Sequence, residues 1–85
     1  MVDPELEARR AKAEADQKAK AKADDERNAA IRDENCRKAK GQLAALQTGQ
    51  RIARITPQGE RVILDDKGRD EEAAIARRVV ETDCR

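Results

Sequence analysis

The chain contains no histidine, phenylalanine, tyrosine or tryptophan. Without histidine, it lacks the residue that most often serves as general base and metal ligand. Without aromatic side chains, it has no platform on which nucleic acid bases could stack and no aromatic anchor for a protein interface. We therefore expect a non-enzymatic protein that uses no cofactor and no metal ion.

Long apolar runs are missing as well. No run approaches the roughly 18 apolar residues that a membrane-spanning helix needs, so we expect no membrane span. The first five residues have no apolar stretch and do not form a signal peptide. The 19 lysines and arginines nearly balance the 18 acidic residues, which leaves a net charge of +1. Charge alone should not hold the whole chain on nucleic acid or anionic lipid, and we do not expect nucleic acid as a partner.

Residues 1–35 are dominated by nine alanines and eighteen charged residues. Alanine, lysine, arginine and glutamate favour helix, and Asp3 followed by Pro4 is a typical helix start. Pairs with the acid four residues before the base support an isolated helix; they are Glu5–Arg9, Glu14–Lys18 and Asp16–Lys20. We predict a charged helical stalk that is partly frayed, with disorder or a weak alanine-type coiled coil as alternatives.

Residues 36–85 hold most of the large aliphatic side chains. The helix should continue to about residue 48, because the side chains of residues 36, 39, 43 and 46 share one face, and Gly49 suits the position after a helix end. Gly41, inside this helix, either permits a close approach by another segment or has no such role. The aliphatic residues are Leu43, Leu46, Ile52, Ile55, Val62, Ile63, Leu64, Ile75, Val79 and Val80.

A β-hairpin and a second helix should follow. Two β-prone runs, 50–55 and 60–64, flank a turn at Pro57 and Gly59. The pattern leaves open which face of the hairpin is buried. The last helix should begin at about 67–70, after the Asp65–Asp66 cap, and end at 83. Its inward face has two overlapping rows, Ala73–Ala76–Val80–Cys84 and Glu72–Ile75–Val79.

The two cysteines, Cys36 and Cys84, lie 48 positions apart. One begins the apolar face of the first helix and the other ends that of the last helix, over segments of similar length. Antiparallel helices would therefore bring the two sulfurs together, and would bring Leu43 and Leu46 against Ala73 and Ile75. We predict a structural disulfide, with a reduced pair or a thiol-redox protein as alternatives.

The predicted fold is mainly α with a small β-hairpin. It consists of a long helix, a hairpin and a shorter helix, with an antiparallel helix pair joined by one disulfide. Residues 1–35 would form the stalk, and residues 36–85 the disulfide-linked helix–hairpin–helix module.

Three arginines near the hairpin, Arg51, Arg54 and Arg61, are the strongest candidates for a binding site. Residues 36–85 carry 11 basic and 8 acidic residues, so a polyanion such as nucleic acid or lipopolysaccharide phosphate is one candidate ligand. The interpretation we favour is that these arginines keep an exposed sheet edge soluble. A calcium loop at residues 65–70 is a poor match to the required ligand spacing, and helix capping explains its acidic residues.

Several positions together resemble the C-terminal part of a family of small proteobacterial envelope proteins that carry a domain of unknown function. They are Asn35-Cys36, Ala39, Leu43, Leu46, Gly49, Arg51, Gly59, Leu64-Asp65-Asp66, Ile75-Ala76 and Cys84. Family members usually begin with a signal peptide and a β segment containing tryptophan and tyrosine, and often have a tyrosine in the second strand; this sequence has none of these. The resemblance implies an excised fragment of a longer secreted protein, a periplasmic or cell-envelope location and a Cys36–Cys84 bond, but no reaction.

From these observations we expect a non-enzymatic cell-envelope interaction or spacer module. Its partner would be an unknown protein or a second copy of the chain, because an exposed hairpin and a thin core favour association.

Overall fold

The computed structural model describes residues 2–85. Helix α1 spans Pro4–Gln47, strand β1 Ala53–Ile55, strand β2 Arg61–Ile63 and helix α2 Asp66–Asp83. The predicted order of long helix, hairpin and shorter helix is therefore confirmed. The described residues divide into two compact units, 2–31 and 32–85.

The unit 2–31 is a helix whose side chains are almost all exposed. It begins as predicted, because the Asp3 carboxylate accepts a hydrogen bond of 3.0 Å from the backbone N–H of Glu5. Ion pairs one turn apart run along it, among them Glu5–Arg9 at 4.0 Å. The predicted partner of Asp16 was wrong. Asp16 contacts Lys12, at 3.8 Å, instead of Lys20.

In the unit 32–85, the end of α1 and helix α2 form the predicted antiparallel pair. Its buried core consists of small side chains only: Cys36 and Ala39 from α1, and Ala73 and Ala76 from α2. Small residues along both contact stripes let the two backbones approach closely. The large aliphatic residues of these helices flank that contact and are half-buried; they are Leu43, Leu46, Val79 and Val80.

The predicted inward position of Ile75 was wrong. Ile75 is 48% exposed, whereas Ala73 and Ala76 are almost completely covered. Two residues along an α-helix rotate by about 200°, so the stripe that buries Ala73 turns Ile75 toward the opposite side. The row of Glu72, Ile75 and Val79 therefore forms the flank of α2, and the row of Ala73 and Ala76 forms its contact with α1.

Gly49 and Gly59 shape the connection between the helices, and both have positive φ angles, of 80° and 84°. Gly49 lies two residues after Gln47, the last residue of α1, and occupies the position after the helix end as predicted. Gly59 lies in the hairpin loop, where its N–H donates to the Thr56 carbonyl at 2.9 Å. An L side chain disfavours this conformation, so both turns depend on glycine.

The strands β1 and β2 pair in antiparallel register, with Ala53 opposite Ile63 and Ile55 opposite Arg61. The ladder continues by one hydrogen bond, from the Leu64 N–H to the Ile52 carbonyl. Helix α2 then begins at Asp66, slightly before the predicted 67–70, because the Asp65 carboxylate caps it by accepting from the Gly68 N–H at 2.7 Å.

The substitution Gly41→Ala should stabilise the protein. Gly41 is helical, and a Cβ placed on it would meet nothing within 4 Å. Of the two alternatives left open for this glycine, the structure therefore shows no close approach by another segment. Alanine should raise the free energy of unfolding by about 0.5–1 kcal/mol, measured by urea denaturation.

The matched control is Gly49→Ala, which also has open space around its Cβ but forces a side chain onto a φ of 80°. It should lower the free energy of unfolding by about 1 kcal/mol or more. Equal effects of the two substitutions would contradict the assignment of helical and left-handed backbone at these two glycines.

Candidate functional site

The disulfide between Cys36 and Cys84 closes one end of the helix pair. The S–S distance is 2.06 Å and the Cα–Cα distance is 4.9 Å. Cys36 lies within α1 and is 9% exposed, whereas Cys84 is the C-cap residue of α2. The predicted pairing is confirmed, and the chain between the two sulfurs forms a closed loop that contains the hairpin and α2.

A polar contact lies directly beside the disulfide. The Asn35 side-chain amide donates to the Asp83 carboxylate at 3.0 Å, from the residue before each cysteine. The bond is exposed to solvent, so it contributes less to stability than the covalent link. It is a second contact between α1 and α2 at the level of the disulfide.

Arg69 joins the two helices at the opposite end. Its guanidinium donates to the Leu46 carbonyl at 2.5 Å and to the Gln50 carbonyl at 2.6 Å. The last carbonyls of a helix lack intrahelical partners, and α1 has no basic residue in its last turn. A cation from α2 therefore supplies the C-terminal cap of α1.

Sequence reasoning did not single out Arg69. The one relevant feature of the sequence is that α1 ends without a basic residue, so its last carbonyls need donors from another part of the chain. The sequence does not say which arginine supplies them, because Arg69 comes within reach of Leu46 only after the chain has reversed direction.

The hairpin has one face toward the helices and one face toward solvent. The inner face includes Arg54, whose guanidinium contacts the Glu72 carboxylate of α2 at 3.4 Å. Ile52 and Leu64 share this face by alternation and are half-buried. The outer face carries Ile55 and Ile63, which are 66% and 48% exposed. The structure thus shows which face of the hairpin is turned to the helices, which the sequence pattern left open.

The three arginines proposed as an anion site do not share one face. Arg54 pairs with Glu72 on the inner face, and Arg61 stands opposite Ile55 on the outer face. Arg51 is exposed and precedes β1. Among residues 2–85, no ion pair of Arg51 or Arg61 is present, whereas Arg54 has Glu72 as its partner.

An open cavity of about 330 Å³ lies beside the inner face, between the hairpin and the helices. Its walls are mostly aliphatic, and the Arg54–Glu72 ion pair stands at its rim. Its size is at the lower limit of ligand pockets, and it is open to solvent. The residues around it are Gln42, Ala45, Leu46, Ile52, Ala53, Arg54, Leu64 and Glu72.

The acidic residues at the start of α2 act in helix formation. Asp65 uses its carboxylate to cap α2, which is the capping role that the sequence favoured over a calcium loop. Asp66 lies in the first turn, where the helix dipole favours negative charge. Across residues 2–85, no three potential metal-ligating side chains lie together.

No family model, no curated protein and no solved structure matches this chain. In the part of the chain that the structure describes, no helix is sufficiently long and apolar to cross a membrane.

Removing the disulfide should strongly destabilise the unit 32–85. Closing a loop of this size stabilises the folded state by about 4 kcal/mol in the chain-entropy model. We expect reduction of the wild-type protein to lower the free energy of unfolding by about that amount, measured by urea denaturation followed by circular dichroism.

The control is the double variant Cys36→Ser/Cys84→Ser, which should match the reduced wild type and should not respond to reductant. An unchanged urea midpoint on reduction of the wild type would show that the crosslink does not support this fold.

The substitution Arg69→Met should distinguish the stability contributed by the capping hydrogen bonds from that contributed by packing of the side-chain stem. Methionine keeps an unbranched apolar stem but cannot donate to the Leu46 and Gln50 carbonyls. We expect a loss of about 1–3 kcal/mol in the free energy of unfolding. The matched control is Arg78→Met, at an exposed position of the same helix, which should change stability by less than about 0.5 kcal/mol. Equal effects would rule out the capping role of Arg69.

Proposed function

We propose that this protein is a non-enzymatic module of the cell envelope that acts as an interaction or spacer element. The observation that carries the proposal is the Cys36–Cys84 disulfide. Structural disulfides form and persist in oxidising compartments and are rare in the cytosol. The bond here ties together a unit whose buried side chains are only alanine and cysteine, so the fold needs an environment that keeps the bond intact.

The position of the disulfide favours a structural role over thiol-redox chemistry. Redox cysteines are accessible and lie close to a second thiol in a short motif. Cys36 is 9% exposed, and its partner is 48 residues away in the sequence. Cys84, the other half of the bond, is half-buried at the C-cap of α2.

The unit 2–31 supports a spacer role. A helix that is polar on all sides suits a segment that bridges other parts of a protein, stabilised by ion pairs between successive turns. Residues 4–31 are helical and span about 42 Å at 1.5 Å per residue. Ion pairs such as Asp24–Arg27 hold this helix without a tertiary core.

Polyanion binding is a second candidate function, favoured by the exposed and unpaired state of Arg51 and Arg61 within residues 2–85. Arg54 contributes less to such a site, because Glu72 already balances its charge. The alternative therefore depends on two cations rather than three.

The proposed location can be tested in the native organism with an epitope-tagged chain. Intact cells are treated with a membrane-permeant, mass-tagged maleimide, with and without prior reduction, and are then fractionated. We expect the protein in the envelope or periplasmic fraction, with both cysteines protected until reductant is added.

Single and double cysteine variants are the controls for this experiment. Cys84→Ser leaves one thiol and should be labelled without reductant, and Cys36→Ser/Cys84→Ser should never be labelled. Wild-type protein that is labelled without reductant and found in the cytosolic fraction would contradict the proposal.

A further inference from the structure

The solvent-facing side of the hairpin combines aliphatic groups with positive charge. We define the outer hairpin face as Ile55, Arg61 and Ile63, which alternation and the strand register place on one side of the sheet. Ile55 is 66% exposed and is the most exposed isoleucine of the described chain. Arg61 stands directly opposite Ile55, so a cation lies beside the apolar patch.

The inner face of the hairpin does not offer the same combination. Arg54 is engaged with Glu72, and Ile52 and Leu64 are half-buried. Val62, opposite Arg54, is 39% exposed, which is less than Ile55 or Ile63. The only carboxylate of residues 50–64 is that of Glu60. The backbone carbonyl of Glu60 accepts a hydrogen bond from the Thr56 N–H across the hairpin loop. Alternation places Glu60 on the side opposite Arg61. The outer hairpin face is therefore aliphatic and purely cationic.

The size of this face limits what can cover it. A stable protein interface removes about 800 Å² of surface from each partner, and two isoleucines supply only a small part of that area. Shallow insertion into a lipid surface needs much less, because a few aliphatic side chains enter the acyl boundary while cations remain at the phosphates. Charge also selects the kind of lipid, since arginine prefers anionic headgroups.

We propose that the outer hairpin face docks on an anionic phospholipid surface. Ile55 and Ile63 enter the boundary between headgroups and acyl chains, and Arg61, assisted by the exposed Arg51, contacts lipid phosphate. The net charge of +1 does not oppose this, because the attraction is local to the hairpin. The proposal goes beyond an envelope location by naming a surface and its ligand, and vesicles test it wherever the protein resides.

The experiment is co-sedimentation of the oxidised chain with vesicles. One set contains phosphatidylglycerol and phosphatidylcholine in equal parts, and the other contains phosphatidylcholine alone. We expect binding to the anionic vesicles at low salt, and at least about tenfold weaker binding at high salt or without phosphatidylglycerol. Circular dichroism of every variant verifies that the fold is retained.

Matched variants test the named side chains. Ile55→Ser and Ile63→Ser should each weaken binding about tenfold, because each removes an inserted aliphatic side chain. The control is Ile75→Ser, since Ile75 lies on α2 and has the same 48% exposure as Ile63. Arg61→Glu should abolish binding at low salt, and Arg78→Glu, on α2, should retain most of it.

Three outcomes would overturn the proposal. The first is no binding of the wild-type chain to anionic vesicles at low salt. The second is an Ile75→Ser variant as weak as Ile55→Ser, which would mean that the hairpin is not the contact. The third is self-association in sedimentation velocity that Ile63→Ser removes, together with no vesicle binding; the outer hairpin face would then be a contact between copies of the chain.

Discussion

The Cys36–Cys84 bond is the constraint on which the unit 32–85 depends. Its buried side chains are two alanines from α2 and one alanine and one cysteine from α1, none of them large. Burial of so little apolar surface offsets only part of the conformational entropy that folding removes. The crosslink reduces that entropy in the unfolded chain, so the covalent bond and the small core act together.

Polar contacts between the helices and the hairpin act in addition to the disulfide. The disulfide and the Asn35–Asp83 hydrogen bond hold one end of the helix pair, and Arg69 holds the other end through the carbonyls of Leu46 and Gln50. Arg54 and Glu72 tie the hairpin to α2. The exposed Arg54–Glu72 and Asn35–Asp83 contacts contribute little each, and the part-buried Arg69 contact contributes more. Together they define the alignment of α2 and the side of the hairpin that meets it.

This alignment determines which hairpin residues face solvent. Because the inner hairpin face is turned to the helices, Ile55, Ile63 and Arg61 are left together on the solvent side.

Much of the fold could be predicted because its signals are local. Asp3 and Pro4 start α1, Gly49 ends it, Gly59 forms the hairpin loop and Asp65 caps α2, each through its own backbone neighbourhood. The disulfide was also predictable, because two cysteines at the ends of equal helical segments meet in an antiparallel pair. Periodicity failed at Ile75, because a pattern shows which residues are apolar but not which of two adjacent stripes meets the partner helix.

The sequence by itself determined the helices, the hairpin, the turns and the pairing of the two cysteines, since these follow from backbone preference and helix length. Only the tertiary structure decided that alanines form the buried contact, that Arg69 caps α1, and that Arg54 and Arg61 lie on opposite faces. Each of these depends on the rotation of α2 and of the hairpin about their own axes. That rotation is set by close packing and by hydrogen bonds between residues distant in the chain, which no local pattern encodes.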